Sequence, residues 1–501
     1  MTRARLIVDP ARAVGEVDRR LFGSFIEHLG RAVYDGIHEP GHPAADADGF
    51  RRDVIEQVRE IGVTTVRYPG GNFVSSYRWE DGVGPVASRP RRLDPAWHST
   101  EPNLVGLDEF ARWATAAGTE LMLAVNLGTR GVAEALDLLE YANIPSGTTL
   151  SDARVANGTP EPHAVAIWCL GNELDGPWQI GHRSADDYGK LAAQTARALR
   201  QVDDRILLVA CGSSSRAMPT FGEWERIVLE HTWGEVDYIS AHAYYQEKDG
   251  DLAAFLASPV DMDRFIESVA DVIDEIAARR GVTRPVTISF DEWNVWDIDR
   301  YHAEDKHTAI DDWPIAPRIL EDSYSVADAV VVGGLLMSLV RHADRVTAAS
   351  LAQLVNVIAP IMTEPGGAVW RQTTFHPFAI TSRLARGRAI PVEVDAPGYV
   401  AGDLGEVRLV DAVATTADSG SAVFVVNRST TESVVVTIDV SALGVSELRS
   451  AVGIWDADPY ARNSVDDPER VVPRRLEAAA LEDGVVEITL PPVAWAALEL
   501  G

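Results

Sequence analysis

The feature that most constrains the fold is an alternation of short apolar runs with longer amphipathic stretches between about residues 20 and 385. Eight runs are typical of buried strands, and they span residues 21–28, 64–71, 120–127, 166–173, 206–212, 237–245, 286–293 and 348–356. Segments between them, such as residues 107–118, 184–202, 261–281 and 324–343, have helical apolar spacing. This alternation predicts an α/β fold built on a (β/α)8 TIM barrel.

The pattern changes after about residue 386. Here β-branched, alternating runs are separated by Gly, Asp and Ser, and no helical pattern is found, which predicts an all-β sandwich. An isolated strand-like run, "ARLIVDP", precedes the barrel. We therefore expect three segments: an N-terminal strand in residues 1–17 that pairs with the sandwich, a catalytic barrel in residues 18–385 and a β-sandwich domain in residues 386–501.

Composition excludes several classes of function. The 501 residues are 46% apolar and 24% charged, as in a globular protein with one large and one smaller domain. Forty-five basic and 75 acidic residues give a net charge of -30, which argues against nucleic-acid or membrane-surface partners. Cys169 and Cys211 lie in apolar runs, as expected of reduced buried thiols. The opening "MTRARLIVDPARAV" lacks a signal-peptide core, so we expect a cytoplasmic protein.

Polar side chains stand at the ends of the predicted barrel strands. They are Glu27, His28, Arg67, Asn126, Asn172, Glu173, His242, Tyr244, Glu292, Gln353 and Asn356. In a TIM barrel the carboxyl ends of the strands converge on one mouth, where the active site of this fold is found. Any one of these residues could be a helix cap or a buried structural group, so the prediction rests on their convergence.

Two of these residues are carboxylates at opposite strand ends. Glu173 ends the fourth run and Glu292 the seventh, and paired carboxylates about 5 Å apart are typical of retaining glycosidases. Asn172 and Glu173 are adjacent and should point to opposite faces of a strand, so the strand must bulge or end there if both serve the site. Aromatic residues that suit the apolar faces of a sugar are predicted near the mouth: Trp97, Trp178, Tyr244, Tyr245, Trp293 and Trp296.

Five segments together resemble the α-L-arabinofuranosidases of glycoside hydrolase family 51: "FGSFIEHLGRAVYDGI", "VRYPGGNFVSSYRWEDGVGP", "WCLGNELDGPWQIGH", "ISAHAYY" and "FDEWNVW". The resemblance extends over essentially the whole chain. It implies a retaining enzyme with Glu173 as acid/base and Glu292 as nucleophile, and a homo-oligomer, often a hexamer. Two glutamates with amide neighbours need no metal, so we expect no cofactor or metal. The resemblance also implies that eight residues bind the substrate: Glu27, Arg67, Asn72, Trp97, Asn172, Tyr244, Trp296 and Gln353.

The predicted function is release of terminal arabinofuranose from arabino-oligosaccharides or arabinoxylan fragments by an exo-acting enzyme that uses double displacement. The linkage, α-1,2, α-1,3 or α-1,5, stays open. One alternative is an endo-β-1,4-glucanase or xylanase of the same clan. A second is a metal-dependent barrel enzyme that uses Glu27, His28, His242 and Asp291, and a third is a non-catalytic sugar-binding protein.

Overall fold

The computed structural model describes residues 2–281, 286–306, 308–476 and 479–501. The predicted barrel is confirmed: eight strands close on themselves in chain order, and each pairs in parallel with the next. The strands are Gly23–Phe25, Thr65–Tyr68, Glu120–Ala124, Ile167–Leu170, Leu207–Ala210, Tyr238–Tyr245, Thr287–Val295 and Val346–Ala352. Each of the eight apolar runs supplies one of them.

Helices follow the barrel strands and pack around them. They are Arg52–Ile61, Leu107–Ala117, Val132–Asn143, Thr149–Ala156, Ala185–Val202, Glu223–Thr232, Leu252–Leu256, Ser258–Arg280, Ile298–Arg300, a π-helix at Tyr301–Asp305, Val326–Arg341 and Phe375–Leu384. The four predicted helical segments are among them. Ala185–Val202 begins where the Ser184 hydroxyl accepts a hydrogen bond from the Asp187 N–H, and Ser258–Arg280 ends at Gly281 with a φ of 64°. None of the described helices has both the length and the apolar content needed to cross a bilayer.

Most of the remaining described strands form two β-sheets that pack as a sandwich, as predicted. One sheet has the order Glu393–Asp395, Thr2–Ile7, Val434–Asp439, Val485–Leu490 and Leu481–Glu482. The other has the order Gly15–Glu16, Arg388–Pro391, Val410–Ala417, Gly420–Asn427, Ala494–Leu500, Leu448–Ile454 and Arg474–Arg475. Thr2–Ile7 runs parallel to Val434–Asp439 and antiparallel to Glu393–Asp395. The assignment of the chain to three domains stays a prediction.

Three two-stranded ribbons and several single-turn helices complete the described structure. The ribbons pair Arg92–Asp94 with Ser99–Glu101, Ile361–Thr363 with Val369–Arg371 and Gly398–Val400 with Glu406–Arg408. The 3₁₀ turns are Pro10–Arg12, Arg19–Phe22, Asn72–Ser75, Trp79–Gly82, Val86–Ser88, Gly402–Leu404 and Ser441–Leu443. Cys169 and Cys211 are buried and free, as predicted.

The helix Val326–Arg341 connects the cores of the barrel and the sandwich. It is apolar on all sides, as expected of a helix covered on every face, and nearly all of its residues are buried. A side chain at Gly333 would place its Cβ 2.5 Å from the Trp495 ring of the sandwich. Trp495 is itself fully buried in the same apolar cluster as the barrel helices. The absence of a side chain at Gly333 therefore allows the sandwich to pack closely on the barrel.

Candidate active site

A cavity of about 590 Å³ opens at the carboxyl ends of the barrel strands, within the size range of ligand sites. Eight of the ten residues predicted for the site line it: Glu27, Asn72, Trp97, Glu173, Tyr244, Glu292, Trp296 and Gln353. The other two, Arg67 and Asn172, are buried against this wall. Arg67 donates from Nη1 to Glu292 Oε1 at 2.8 Å and from Nη2 to Asn172 Oδ1 at 2.8 Å. The structure thus brings the ten predicted residues together in one contiguous site.

The end of the fourth strand explains how two adjacent residues both reach the site. The strand stops at Leu170, and Gly171 follows with a φ of 94°. Glu173 has a φ of 43°, which is uncommon for a residue with a side chain. The chain therefore leaves the extended conformation before Asn172, and the alternation of strand faces no longer applies. Asn172 contacts Arg67 while Glu173 faces the cavity, so the strand ends there rather than bulging.

Glu292 is held by a cation and a hydroxyl group. Besides the Arg67 contact, Tyr244 donates its hydroxyl to Glu292 Oε2 at 2.7 Å, and His242 Nδ1 lies 3.7 Å from the same oxygen. Burial alone would raise the pKa of Glu292. The charges of His242 and Arg67 and the hydrogen bonds from Tyr244 and Arg67 outweigh burial and lower that pKa. Glu292 is therefore an ionised carboxylate at neutral pH.

Glu173 has different hydrogen-bond partners from Glu292, although His242 lies against both. His242 Nδ1 lies 2.9 Å from Glu173 Oε1, and the indole of Trp178 donates to Oε2 at 2.8 Å. Burial lowers the pKa of His242, but the charges of Glu292 and Glu173 reverse that effect, and the net shift is upward. Ligand atoms of Glu173, His242 and Glu292 all lie within 4.8 Å of one another. The two carboxylates are therefore near neighbours with one imidazole against both.

Glu27 is the third carboxyl group in the cavity. Its Oε1 accepts hydrogen bonds from the Phe73 N–H at 2.8 Å and from the Trp97 indole at 2.9 Å. Burial raises the pKa of Glu27 to about 8, although the Phe73 and Trp97 donors oppose the rise. Among the described residues, Oε2 accepts only one long hydrogen bond, from the Gln353 amide at 3.4 Å, so it is the oxygen with room for the proton of the neutral acid. Glu27 can therefore donate a hydrogen bond to a ligand at neutral pH.

A buried aspartate that was not predicted fixes the loop bearing Trp97. Asp94 accepts hydrogen bonds from the N–H groups of Ala96 at 3.0 Å and Trp97 at 3.3 Å. Burial raises the pKa of Asp94 to about 7, and these two donors lower it. The loop joins the strands Arg92–Asp94 and Ser99–Glu101 and places the indole of Trp97 on Glu27. The sequence gives no sign that Asp94 supports this loop, except that Asp94 stands three residues before Trp97.

The predicted aromatic residues divide between the cavity and the core. Trp97, Trp178, Tyr244 and Trp296 line the cavity, with the Tyr244 and Trp296 rings edge to face at 5.1 Å. The prediction is wrong for Trp293, which is fully buried with its ring parallel to that of Phe378. It is also wrong for Tyr245, which bonds Asp261 outside the cavity. Strand alternation is the reason, because Trp293 follows Glu292 and Tyr245 follows Tyr244.

His242 is the functional group that the sequence prediction undervalued. From the sequence, His242 is placed among the polar strand ends at the mouth and has a role only as a metal ligand in one alternative, whereas its Nδ1 lies 2.9 Å from Glu173 and 3.7 Å from Glu292. In the strand register His242 pairs with Glu292, after a shift that follows Ser240. The spacing in the sequence indicates this position, since His242 and Tyr244 are two residues apart on one strand and therefore point to the same face.

The four ligands of the metal alternative do not come together. His28 uses both ring nitrogens elsewhere, with Nδ1 2.9 Å from Glu101 and Nε2 2.8 Å from the Tyr68 hydroxyl. Asp291 accepts a hydrogen bond from the Ser289 hydroxyl.

Two other polar strand ends also have structural contacts outside the cavity: the side-chain amide of Asn126 donates to the Tyr77 carbonyl, and that of Asn356 donates to the Arg31 carbonyl.

The triad of Glu173, His242 and Glu292 has ligand atoms close enough for a cation, but its charge balance does not fit one. Arg67 already bonds Glu292, and the raised pKa of His242 favours an imidazolium against both carboxylates. A divalent ion would have to displace that proton and lie close to a guanidinium group. The arrangement instead suits proton transfer and attack by a carboxylate on one bound substrate.

Comparison with known proteins places the chain in a family. The model described as "Alpha-L-arabinofuranosidase 1 domain" matches residues 57–265, and "Alpha-L-arabinofuranosidase C-terminal domain" matches residues 291–494. An intracellular exo-α-(1→5)-L-arabinofuranosidase of Streptomyces lividans is 56% identical over 498 residues, which cover 99% of this chain and 75% of that protein. An exo-α-(1→6)-L-arabinofuranosidase of Bifidobacterium longum is 54% identical over 510 residues, which cover 100% of this chain and 98% of that protein.

A solved structure agrees. The family 51 α-L-arabinofuranosidase of Bifidobacterium longum superposes with a TM-score of 0.95 at 46% identity and covers 100% of both chains. The resemblance found in the sequence is thereby confirmed. The chain is a glycoside hydrolase that belongs to the α-L-arabinofuranosidases of family 51.

Proposed function

We propose that the protein hydrolyses terminal α-L-arabinofuranosides with retention of configuration, using Glu292 as nucleophile and Glu173 as acid/base. The observation that carries the proposal is the proximity of the two carboxylates, whose nearest oxygens lie within 4.8 Å of each other and of His242. Retaining glycosidases have carboxyl groups about 5–5.5 Å apart, whereas inverting enzymes need about 6.5–9.5 Å to admit a water molecule. The spacing supports double displacement.

The contacts assign a separate role to each carboxylate. Glu292, ionised and oriented by Arg67 and Tyr244, attacks the anomeric carbon and forms an ester to the sugar. As the glycosidic bond breaks, Glu173 gives its proton to the leaving oxygen. Glu173 then takes a proton from a water molecule, whose oxygen attacks the anomeric carbon and releases Glu292. One water is consumed, and both carboxyl groups return to their starting state.

The remaining predicted residues bind the sugar or hold the catalytic groups. Glu27, Asn72 and Gln353 present hydrogen-bonding groups to the cavity, and Trp97 and Trp296 present rings. Several buried polar groups that must all be matched give strong discrimination between sugars. Arg67 and Asn172 do not line the cavity, and we assign them to orienting Glu292 rather than to binding sugar.

We also infer an exo-acting enzyme for short substrates. The relatives from Streptomyces lividans and Bifidobacterium longum are named as exo-acting enzymes for α-(1→5) and α-(1→6) linkages, so we expect arabino-oligosaccharides or arabinoxylan fragments as substrates. These names do not favour the endo-β-1,4-glucanase or xylanase alternative. Since several relatives are named intracellular, we propose action in the cytoplasm. Assembly into a homo-oligomer such as a hexamer stays a prediction, which light scattering can test.

Product analysis tests this proposal. The purified protein should release arabinose from 4-nitrophenyl α-L-arabinofuranoside and from α-(1→5)- and α-(1→6)-linked arabino-oligosaccharides, shortening each by one residue at a time. Release of internal fragments from xylan or carboxymethyl cellulose, without arabinose from the aryl substrate, would favour the endo-acting alternative.

A further inference from the structure

A buried carboxyl group lies next to the proposed nucleophile and has no role in the reaction described above. Asp291 directly precedes Glu292 in the seventh barrel strand and is only 2% exposed. Its Oδ1 accepts a hydrogen bond from the Ser289 hydroxyl, and its Oδ2 accepts one from the Cys169 thiol at 3.7 Å. Both oxygens are therefore acceptors, as expected of a carboxylate. A buried carboxylate is costly unless an opposite charge pairs with it.

The opposite charge is the guanidinium group of Arg67, which is itself only 1% exposed. Arg67 Nε lies 3.8 Å from Asp291 Oδ2, which is too far for a hydrogen bond but close enough for an ion pair. Arg67 Nη1 donates to Glu292 at 2.8 Å, and Nη2 donates to the uncharged amide of Asn172. One buried cation therefore faces two carboxylates through different nitrogens.

A β-bulge allows two adjacent carboxylates to face the same cation. Opposite the sixth strand, the two steps from Ser240 to His242 correspond to three steps from Ser289 to Glu292. The seventh strand therefore carries one extra residue, which interrupts the alternation of its two faces. Asp291 and Glu292 can then both point toward the guanidinium group, although neighbours in a regular strand would point to opposite faces.

The two carboxylates differ in what happens to their charge during the proposed reaction. Glu292 becomes an ester of the sugar and stays uncharged until water releases it. Asp291 forms no bond to the sugar, and its charge remains available to balance Arg67 in the glycosyl-enzyme. Burial raises the pKa of Asp291, whereas the charges of Arg67 and His242 and the Ser289 hydroxyl oppose the rise. The ion pair with Arg67 thus favours the charged form of Asp291.

We propose that Asp291 is a positioning residue that acts through Arg67: its negative charge balances the guanidinium group while Glu292 is esterified, and so stabilises the glycosyl-enzyme. Without that charge, formation of the ester would remove the remaining carboxylate paired with Arg67 and would become less favourable. Breakdown restores the Glu292 carboxylate and would become more favourable. This inference rests on the proposed role of Glu292 as nucleophile and adds a residue that sets the balance between the two steps.

The test uses the Glu173→Ala variant, in which the glycosyl-enzyme should accumulate from 4-nitrophenyl α-L-arabinofuranoside. Glu292 bonds to the anomeric carbon as nitrophenolate leaves with the bonding electrons, so the nitrophenolate burst reports formation of the ester. The steady-state rate that follows reports its breakdown by water. Asp291→Asn added to this variant should slow the burst about tenfold, while breakdown should stay within about threefold or become faster. Mass spectrometry should then find less glycosyl-enzyme at steady state.

Three further variants in the same Glu173→Ala background separate charge from shape. Asp291→Glu keeps the charge with a longer side chain and should return the ratio of formation to breakdown toward its original value. Asp291→Ser removes the charge with a smaller side chain and replaces Asp291→Asn if that variant does not fold. As a matched control, Asp108→Asn changes a buried aspartate that bonds Tyr141 and His163 away from the cavity, and it should leave both rates unchanged.

The outcomes distinguish this inference from the proposed function. If the uncharged Asp291 variants slow formation and breakdown equally, change neither rate, or all fail to fold, Asp291 has only a structural role and the inference is wrong. If Glu173→Ala alone gives no burst and no sugar ester on Glu292, the proposed roles of the two glutamates fail instead.

Discussion

At the scale of single residues, the two carboxyl groups proposed to be catalytic differ by their partners. Glu292 faces a guanidinium group and a tyrosine hydroxyl, which favour a stable carboxylate. Glu173 faces the imidazole of His242 and the indole of Trp178, a residue that is 53% exposed, as expected of a group that meets the leaving group on the outer side of the cavity. Paired glutamates at strand ends were sufficient to predict the location of both groups. The roles came from family resemblance, and the contacts now support them independently.

Removing each carboxylate should give a different chemical phenotype. Glu173→Ala should slow release from arabino-oligosaccharides by about 10²–10⁴-fold, since general acid catalysis is lost. With the 4-nitrophenyl substrate it should still form the glycosyl-enzyme but hydrolyse it slowly. Azide needs no general base, so it should restore turnover and yield an arabinosyl azide of retained configuration, as measured by nitrophenolate release and NMR.

Glu292→Ala is the matching variant and should lose activity on both substrates, because the nucleophile is missing. Rescue of Glu292→Ala by azide with an inverted product, together with no rescue of Glu173→Ala, would show that the two roles are exchanged.

Glu27 should make substrate binding sensitive to alkaline pH. Its pKa of about 8 means that the neutral acid, which can donate from Oε2, is present below that pH and lost above it. We therefore expect KM for the 4-nitrophenyl substrate to rise as the pH increases through about 8. Glu27→Gln keeps a donor at all pH values and should remove this rise. A KM that stays constant to pH 9 in the unsubstituted protein would contradict the assignment.

At the scale of elements, the apolar runs were sufficient to predict all eight barrel strands, because burial on both faces gives a continuous apolar signal. They were insufficient to predict which side of a strand end faces the cavity. Trp293 was placed in the site and is in the core, whereas His242 was undervalued. The end of the fourth strand depends on backbone angles at Gly171 and Glu173, which a hydrophobic pattern does not encode.

Gly171→Ala should test whether this strand end positions Glu173. A Cβ at Gly171 would meet Leu174 Cδ2 at 2.9 Å, and the φ of 94° is unfavourable for alanine. We expect a loss of about 1–3 kcal/mol in the free energy of unfolding and at least a tenfold fall in kcat. Gly118→Ala is the matched control, with a φ of 77° and open space around its Cβ. It should lose stability but keep kcat, and an equal loss of kcat in both variants would count against a positioning role.

At the scale of the whole molecule, the barrel and the sandwich pack closely where Gly333 of the helix Val326–Arg341 meets Trp495. Gly333→Ala should drive a methyl group into the Trp495 ring and lower the free energy of unfolding by about 1–3 kcal/mol. Gly41→Ala, with no atom within 4 Å of the added Cβ, is the control and should change stability little. Urea unfolding measures both. Equal stability of the two variants would mean that the contact is not tightly packed.

The packing of the helix Val326–Arg341 on the sandwich could not be predicted, since sequence patterns do not show which helix meets the sandwich.

The stereochemistry of the first product tests double displacement across Glu173 and Glu292 most directly. Proton NMR of the 4-nitrophenyl substrate during the first minutes of hydrolysis reports the anomer that the enzyme releases before mutarotation. With the two carboxylates as close as they are, we predict that α-L-arabinofuranose is formed first. Initial formation of the β anomer would contradict the account, since it would require a water molecule to attack in place of Glu292.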